Sequence, residues 1–469
     1  MKKVLISKKV LFPLLVISFV ISILIAGSSF AIDREPFTPS DLSPRIGGID
    51  FQAEDLTVLS GPDNKTAASV ESEMNPADQA ECDCSSVSEA APPEIDDPIS
   101  DAELRDLKFV ASQEGISLQD AIDRYAWNDN FALAVAKIRE ASPKTFADAE
   151  IVDADHAWVV FTGSAPKEAL DIIDIFTNSH SSVSVEVRTD SCFTEAELQR
   201  AIEAVHYAVF ESPDVLDAST WFDSATGQIT TTVVLESTAS VSVLDDLGAV
   251  AEKALTEATR ADILNCITTS VVRSNIQVTG GTDSSTEHLG GEYISGCTSG
   301  FGIITVYGVR GICTAGHCPN AQIDDGQNLT LQAEYQGTHG DFQWHTGPQN
   351  EPDDFYAGSS STLETNRRDV TSIGSPTVGQ TLCRNGRTTY RNCQQVRKLN
   401  VCSGGVCNLV QMGVHRSAGG DSGGPWYFGN TAYGIHRGWM YDPFWPFDRE
   451  VFSRADRIDD ALGISIATN

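Results

Sequence analysis

Gly419-Gly420-Asp421-Ser422-Gly423-Gly424-Pro425 sets one serine among four glycines in six residues. Glycine gives up backbone entropy without packing a side chain, so this density marks a backbone that passes close to something or takes angles other residues avoid. A nucleophilic serine has that need. Its hydroxyl must stand on a fixed turn, and nearby N–H groups must converge on the oxyanion that forms after attack. The hydroxyl is a weak nucleophile by itself and requires a base within hydrogen-bond reach. Upstream, Thr314-Ala315-Gly316-His317-Cys318 offers His317, whose imidazole titrates near neutrality and can take a proton and return it to a leaving amine. A carboxylate must then orient the imidazole and stabilise its cation.

Together, in this order and at this spacing, TAGHC and GDSGGP resemble the chymotrypsin-like serine peptidases, and the glycine before the histidine resembles their bacterial streptogrisin and α-lytic protease branch. The resemblance implies an all-β peptidase domain of two six-stranded antiparallel β-barrels, acting on peptide or protein substrates without cofactor or metal. Asp341 is the carboxylate candidate. It opens a strand-like run with Phe342 and Trp344 on one face, resembles the family's aspartate segment, and follows His317 at close to the family's interval. Asp324, Asp325, Asp353 and Asp354 stand in polar, turn-like surroundings. Correspondence with the family's turn assigns the oxyanion hole to the N–H groups of Gly420 and Ser422, and gives Asp421 a structural part in holding that turn.

The same map implies disulfides Cys297–Cys318 and Cys383–Cys393. Cys402 and Cys407 bracket Ser-Gly-Gly-Val and are placed to close a hairpin, a departure from the family's pattern. Cys313 is left over as a buried thiol, and the pairing of Cys82, Cys84, Cys192 and Cys266 stays open. For substrate choice, the family's P1 pocket floor corresponds to Arg416 and its wall to the strand through Gly434 and Gly438. No aspartate lies at the floor, which argues against Lys or Arg at P1. Ser417 and His436 fall where glutamate-specific relatives carry a hydroxyl and an imidazole, implying an acidic P1 residue, with an apolar one as the alternative. Arg437 replaces a residue that is small in much of the family.

The elements that must position these groups are legible along the chain. Residues 1–31 open with four lysines and an apolar run, then small residues, as a cleaved signal peptide does. The run is short for a span of about 20 residues, so no stable membrane anchor is expected. Residues 32–100 are acidic and poor in apolar side chains, a composition that cannot offset ordering entropy. Within 101–147, Leu104, Leu107, Val110 and Ala111, then Leu118, Ala121, Ile122 and Tyr125, recur at helical spacing, with Ser117 as an N-cap. β-branched runs at 158–161, 183–187 and 229–235 alternate with helical stretches at 166–176, 195–209 and 243–258, which reads as α+β. The strand–turn–strand at 218–235 resembles the pro-regions of the same bacterial branch. Residues 101–277 are therefore expected to be a pro-region that acts as folding chaperone and inhibitor. From about 278 to 469, short strands separated by Gly, Asn, Asp and Ser form the peptidase domain.

A net charge of −33 argues against a nucleic-acid partner. The charge is unequally divided: residues 278–469 carry 13 Lys+Arg and 19 Asp+Glu, leaving 19 and 46 to the rest. The expected product is a secreted, extracellular serine endopeptidase made as a zymogen and working as a monomer. The alternatives are a peptidase-fold binding protein without activity, or an N-terminal region acting as an inhibitor or adhesion module.

Overall fold

Two serines near the start of the described chain satisfy helix N–H groups that have no intrahelical acceptor. The Ser100 hydroxyl accepts from Glu103 N at 3.2 Å while the Glu103 carboxylate takes the Ser100 N–H at 2.7 Å, a capping box that opens Asp101–Glu114 (α1). Ser117 and Asp120 repeat the arrangement at Leu118–Tyr125 (α2). The computed structural model describes residues 99–224, 226–235, 242–273, 289–324, 326–348, 351–358, 367–441 and 448–469. The expected signal peptide at 1–31, nearly all of the acidic stretch with Cys82 and Cys84, the expected domain boundary near 278, and Asp325 lie outside the described residues.

The helical periodicity of α1 and α2 serves a core far along the chain. Leu107, Val110, Ala111, Ala121 and Tyr125 are buried in one apolar cluster with Phe301, Phe355, Leu382, Trp426 and Tyr427. Next come Asn128–Ala141 (α3), Phe146–Ile151 (β1), His156–Phe161 (β2), Lys167–Ser179 (α4) and Ser184–Arg188 (β3). They form a three-stranded sheet, β1-β2-β3, over a core built on Phe131, Val135, Phe161 and Phe176. The third group is Glu195–Phe210 (α5), Val215–Asp223 (β4), Gln228–Leu235 (β5), Val243–Ala258 (α6) and Thr268–Arg273 (β6), tied by a Cys192–Cys266 disulfide.

From Leu289 onward the described chain is strand-rich. Gly302–Thr305 (β7), Arg310–Thr314 (β8), Gln322–Asp324 (β9), Gln327–Gly337 (β10) and Gly340–Thr346 (β11) join Ile464–Ile466 in a six-stranded sheet whose centre is β10-β11-β8-β7. A second sheet contains Thr381–Arg384 (β12), Asn392–Gln395 (β13), Lys398–Ser403 (β14), Val406–Val414 (β15), Pro425–Phe428 (β16), Thr431–Met440 (β17) and Arg449–Arg454 (β18). It runs β13-β12-β16-β17-β18-β15-β14 and continues into β4-β5-β6, reaching eleven strands with Ser372–Ile373 beside β17. The expectation of two six-stranded barrels thus meets one sheet of six and one of eleven. Three of the eleven strands, β4-β5-β6, come from the N-terminal segment, and their addition has a physical cause: a free strand edge presents unpaired N–H and C=O groups, and β4 covers the edge of β14, with Thr220 opposite Cys402 and Ser219 opposite Ser403. Cys402 and Cys407 are accordingly buried in the apolar cluster of α5, β5 and α6. Among the described residues, no helix is long and apolar enough to cross a membrane.

A buried ion cluster holds α1 to this strand-rich segment. Asp106 has no solvent exposure and accepts from Arg368 at 2.7 and 3.0 Å, from Gly429 N at 2.7 Å, and from Arg391. Removing one partner of such a cluster leaves uncompensated buried charge. Asp106→Ala is therefore expected to lower unfolding stability by about 3–5 kcal/mol, read as a lower urea midpoint of the intact chain. A midpoint unchanged from the parent chain would deny the cluster that role.

Candidate active site

Strands β8 and β11 pair antiparallel, with Thr314 opposite Gln343. The turn just past β8 carries His317, and the start of β11 carries Asp341, so the pairing brings the two together. His317 Nδ1 lies 2.6 Å from Asp341 Oδ2. Since the carboxylate only accepts, Nδ1 holds the proton and Nε2 is left as the basic nitrogen. Asp341 has no exposure, and its own N–H donates to Ser453 Oγ at 2.9 Å. Gly316 is required here: a Cβ would stand 2.8 Å from Asp341 Oδ1 and 2.7 Å from Tyr335 O. The Cys297–Cys318 disulfide anchors the residue after His317. Cys313, one strand position before Thr314, is free and buried, and burial pushes its thiol up to about 12.

The Ser422 turn is held from several sides. Asp421 is fully buried; its carboxylate accepts from Thr388 N at 2.7 Å, Thr389 N at 3.0 Å, Thr389 Oγ1 at 2.6 Å and Ala418 N at 2.8 Å, with Arg384 Nη1 at 3.2 Å. Thr298 Oγ1 donates to Gly420 O at 2.6 Å, and Thr298 N to Ser422 O at 2.7 Å. These bonds occupy carbonyl oxygens. The N–H groups of Gly420 and Ser422 have no acceptor among the described residues. Gly420 and Gly423 take φ of 97° and 92°, the region that favours glycine. The Ser422 hydroxyl donates to Arg437 O at 3.4 Å, and its bond to His317 is not formed in this state.

The residues assigned to substrate choice are not all alike in place. Arg416 is exposed, and its backbone N–H donates to the buried Glu450 at 2.8 Å. Ser417 Oγ is buried without a hydrogen-bond partner among the described residues. His436 is buried on β17; Trp426 Nε1 donates to its Nδ1 at 3.3 Å, so the neutral ring carries its proton on Nε2. Burial, reinforced by Arg384, His415 and His317, holds this imidazole well below its ordinary value. Gly438 follows a bulge at Arg437, between the pairs His436–Phe452 and Gly438–Val451, and has φ 147°. Disulfides Cys383–Cys393 and Cys402–Cys407 complete the cysteine map of this segment. Sequence reasoning missed Arg384, which lies between Asp421 and Glu450 at 3.2 and 3.7 Å, and Thr298 and Trp426. No local motif announces them, because each acts on groups distant in sequence.

No family model matches the chain. Over 166 residues it is 31% identical to glutamyl endopeptidase 2 of Streptomyces griseus, matching 32% of this chain and 84% of that protein. The chain belongs to the chymotrypsin-like serine peptidase family. Streptogrisin-A of Streptomyces griseus is another relative, 31% identical over 158 residues, where the chain spans about half (51%) of its length. Among solved structures, a glutamic acid-specific serine protease described as using a histidine triad in substrate binding is 25% identical, with a TM-score of 0.33, covering 38% of this chain and all of that one.

In this peptidase, Gly423 offers a direct check on the turn. A Cβ there would overlap Thr298 O and Thr314 Oγ1, so Gly423→Ala must displace the serine. A displacement near 1 Å can cost about a hundredfold in rate, and labelling of Ser422 by a fluorophosphonate probe should slow by that order. Labelling at the unmodified rate would show that the turn tolerates the methyl group.

Proposed function

We propose that the chain is a secreted serine endopeptidase made as a zymogen, with Ser422 as nucleophile, His317 as general base and Asp341 as the orienting carboxylate. The 2.6 Å His317–Asp341 bond carries the reading, because it leaves Nε2 basic. Once Ser422 Oγ turns from Arg437 O to Nε2, its proton passes to His317 as oxygen attacks the scissile carbonyl. The free N–H groups of Gly420 and Ser422 support their assignment as the oxyanion hole, a donor pair of which each member is typically worth about 10²–10³ in rate. His317 then gives the proton to the leaving amine, and water hydrolyses the acyl-enzyme by the same steps in reverse roles. No cofactor, metal or nucleic acid takes part, and the mature enzyme is a monomer in which each of the two strand-rich halves wraps as a β-barrel.

Residues 101–277 act as the pro-region, folding template and inhibitor in one, and are removed with the leader to free residues 278–469. The pairing of β4 with β14 supports this reading, since it offers the peptidase hairpin a ready-made strand. Expressed alone, residues 278–469 should be inactive, and separately added 101–275 should restore activity. Rapid unaided folding of the short chain to full activity would reduce the N-terminal segment to an accessory.

The preferred P1 residue is acidic, with an apolar P1 as the second reading. A neutral His436 with its proton on Nε2 and the unpartnered Ser417 hydroxyl are hydrogen-bond donors suited to a carboxylate, and an apolar P1 would leave such groups unpaired at roughly 1–3 kcal/mol each. The name of the glutamyl relative points the same way. Among otherwise identical peptides, kcat/KM should favour Glu over Phe by about tenfold or more, and His436→Ala should erase the difference. A preference for Phe that His436→Ala leaves untouched would establish the apolar pocket.

A further inference from the structure

Asp341 is the most demanding group in the site, because it is an anion without solvent. Its Oδ2 receives the His317 N–H, but Oδ1 has no hydrogen-bond partner among the described residues. A resting, neutral histidine donates a hydrogen bond and no charge, so burial of the carboxylate calls for a cation nearby. Arg437 is that cation: its Nε lies 3.5 Å from Asp341 Oδ2, an ion pair and not a hydrogen bond, and Nε has no hydrogen-bond partner among the described residues. The β-bulge on β17 puts Arg437 there, and Nη2 is fastened by donation to Gly404 O at 3.3 Å in the turn between β14 and β15.

We propose that Arg437 is a positioning residue for the hydrolysis: its guanidinium balances buried Asp341, aims that carboxylate at His317, and keeps the base free of its extra proton at lower pH than an uncompensated pair would. The proposal rests on the serine endopeptidase reading. Its physical basis is distance. The His317 and Arg437 nitrogens flank one carboxylate oxygen at 2.6 and 3.5 Å, so they are at most about 6 Å apart, within the range where like charges disfavour each other. The other charged and titratable groups around Arg437 are Asp217 on β4 and His206 on α5, both of which feel its charge. His436 on β17 feels the charges of Arg384, His415 and His317.

The test compares matured enzyme from full-length parent, Arg437→Gln, Arg437→Ser and Arg437→Lys chains, with kcat normalised to fluorophosphonate-titrated sites. The acidic limb of kcat/KM against pH, which reports the essential base, should move up by about one pH unit in the two neutral variants. Their kcat should fall roughly tenfold with little change in KM, since orientation of the base is used in the transition state. Arg437→Lys should restore the parent limb. Using two neutral variants covers the loss of either one to misfolding. A limb that stays in place in either folded neutral variant, or that moves equally in Arg437→Lys, would overturn the proposal. Ser422→Ala, run in parallel, separates this from failure of the underlying reading: a Ser422→Ala enzyme that keeps its activity refutes the serine mechanism, not the role of Arg437 alone.

Discussion

The Asp421 carboxylate lies wholly out of water, yet it takes four hydrogen bonds from Thr388, Thr389 and Ala418 and an ion pair from Arg384. Those donors come from the segment after β12 and from the chain just before the turn. A buried carboxylate satisfied on all sides has one low-energy position, since each lost partner would strand a desolvated charge. Asp421 therefore fixes Ser422 beside it, and with Ser422 the direction of the Gly420 and Ser422 N–H groups. The opposite wall is set by Thr298, which bonds two carbonyls of the turn. The Cys297–Cys318 disulfide ties the residue before Thr298 to the residue after His317. Nucleophile turn and base are thus braced against each other by one short stretch of chain.

The second constraint is the shared sheet. A hairpin ending in Ser403, Gly404 and Gly405 inserts its Cys402–Cys407 bridge into the apolar core of α5, β5 and α6. Tyr207 donates to Gly405 O at 3.2 Å, and Gly404 N to Ala218 O at 2.8 Å. Gly404 O in turn accepts from Arg437, whose other side faces Asp341. Contacts with the N-terminal segment therefore reach Gly404, one hydrogen bond away from Arg437.

How much of this the sequence disclosed depends on whether a feature is local. The glycines of TAGHC and GDSGGP are readable because each answers a nearby steric demand: Gly316 against Asp341, Gly423 against Thr298 and Thr314. The helix cap at Ser117 and the β-branched run at 229–235 are local in the same sense, and α2 and β5 lie where those signals put them. The Asp106 cluster is different. Its arginines are 262 and 285 residues away, and nothing near Asp106 distinguishes it from the other acids of α1. The continuation of the second sheet into β4 is likewise a property of two edges that meet only after folding. Arg437 stood out as an oddity in its motif, and only its distance to Asp341 gives it a role.

The central claim is that Ser422, activated by His317 and Asp341, is the nucleophile. Peptide mapping of the secreted enzyme after treatment with a fluorophosphonate tests it most directly. The account predicts one adduct per chain, on the peptide containing Ser422, and loss of that adduct in His317→Ala. An adduct on any other residue, or undiminished labelling of Ser422 without His317, would contradict it.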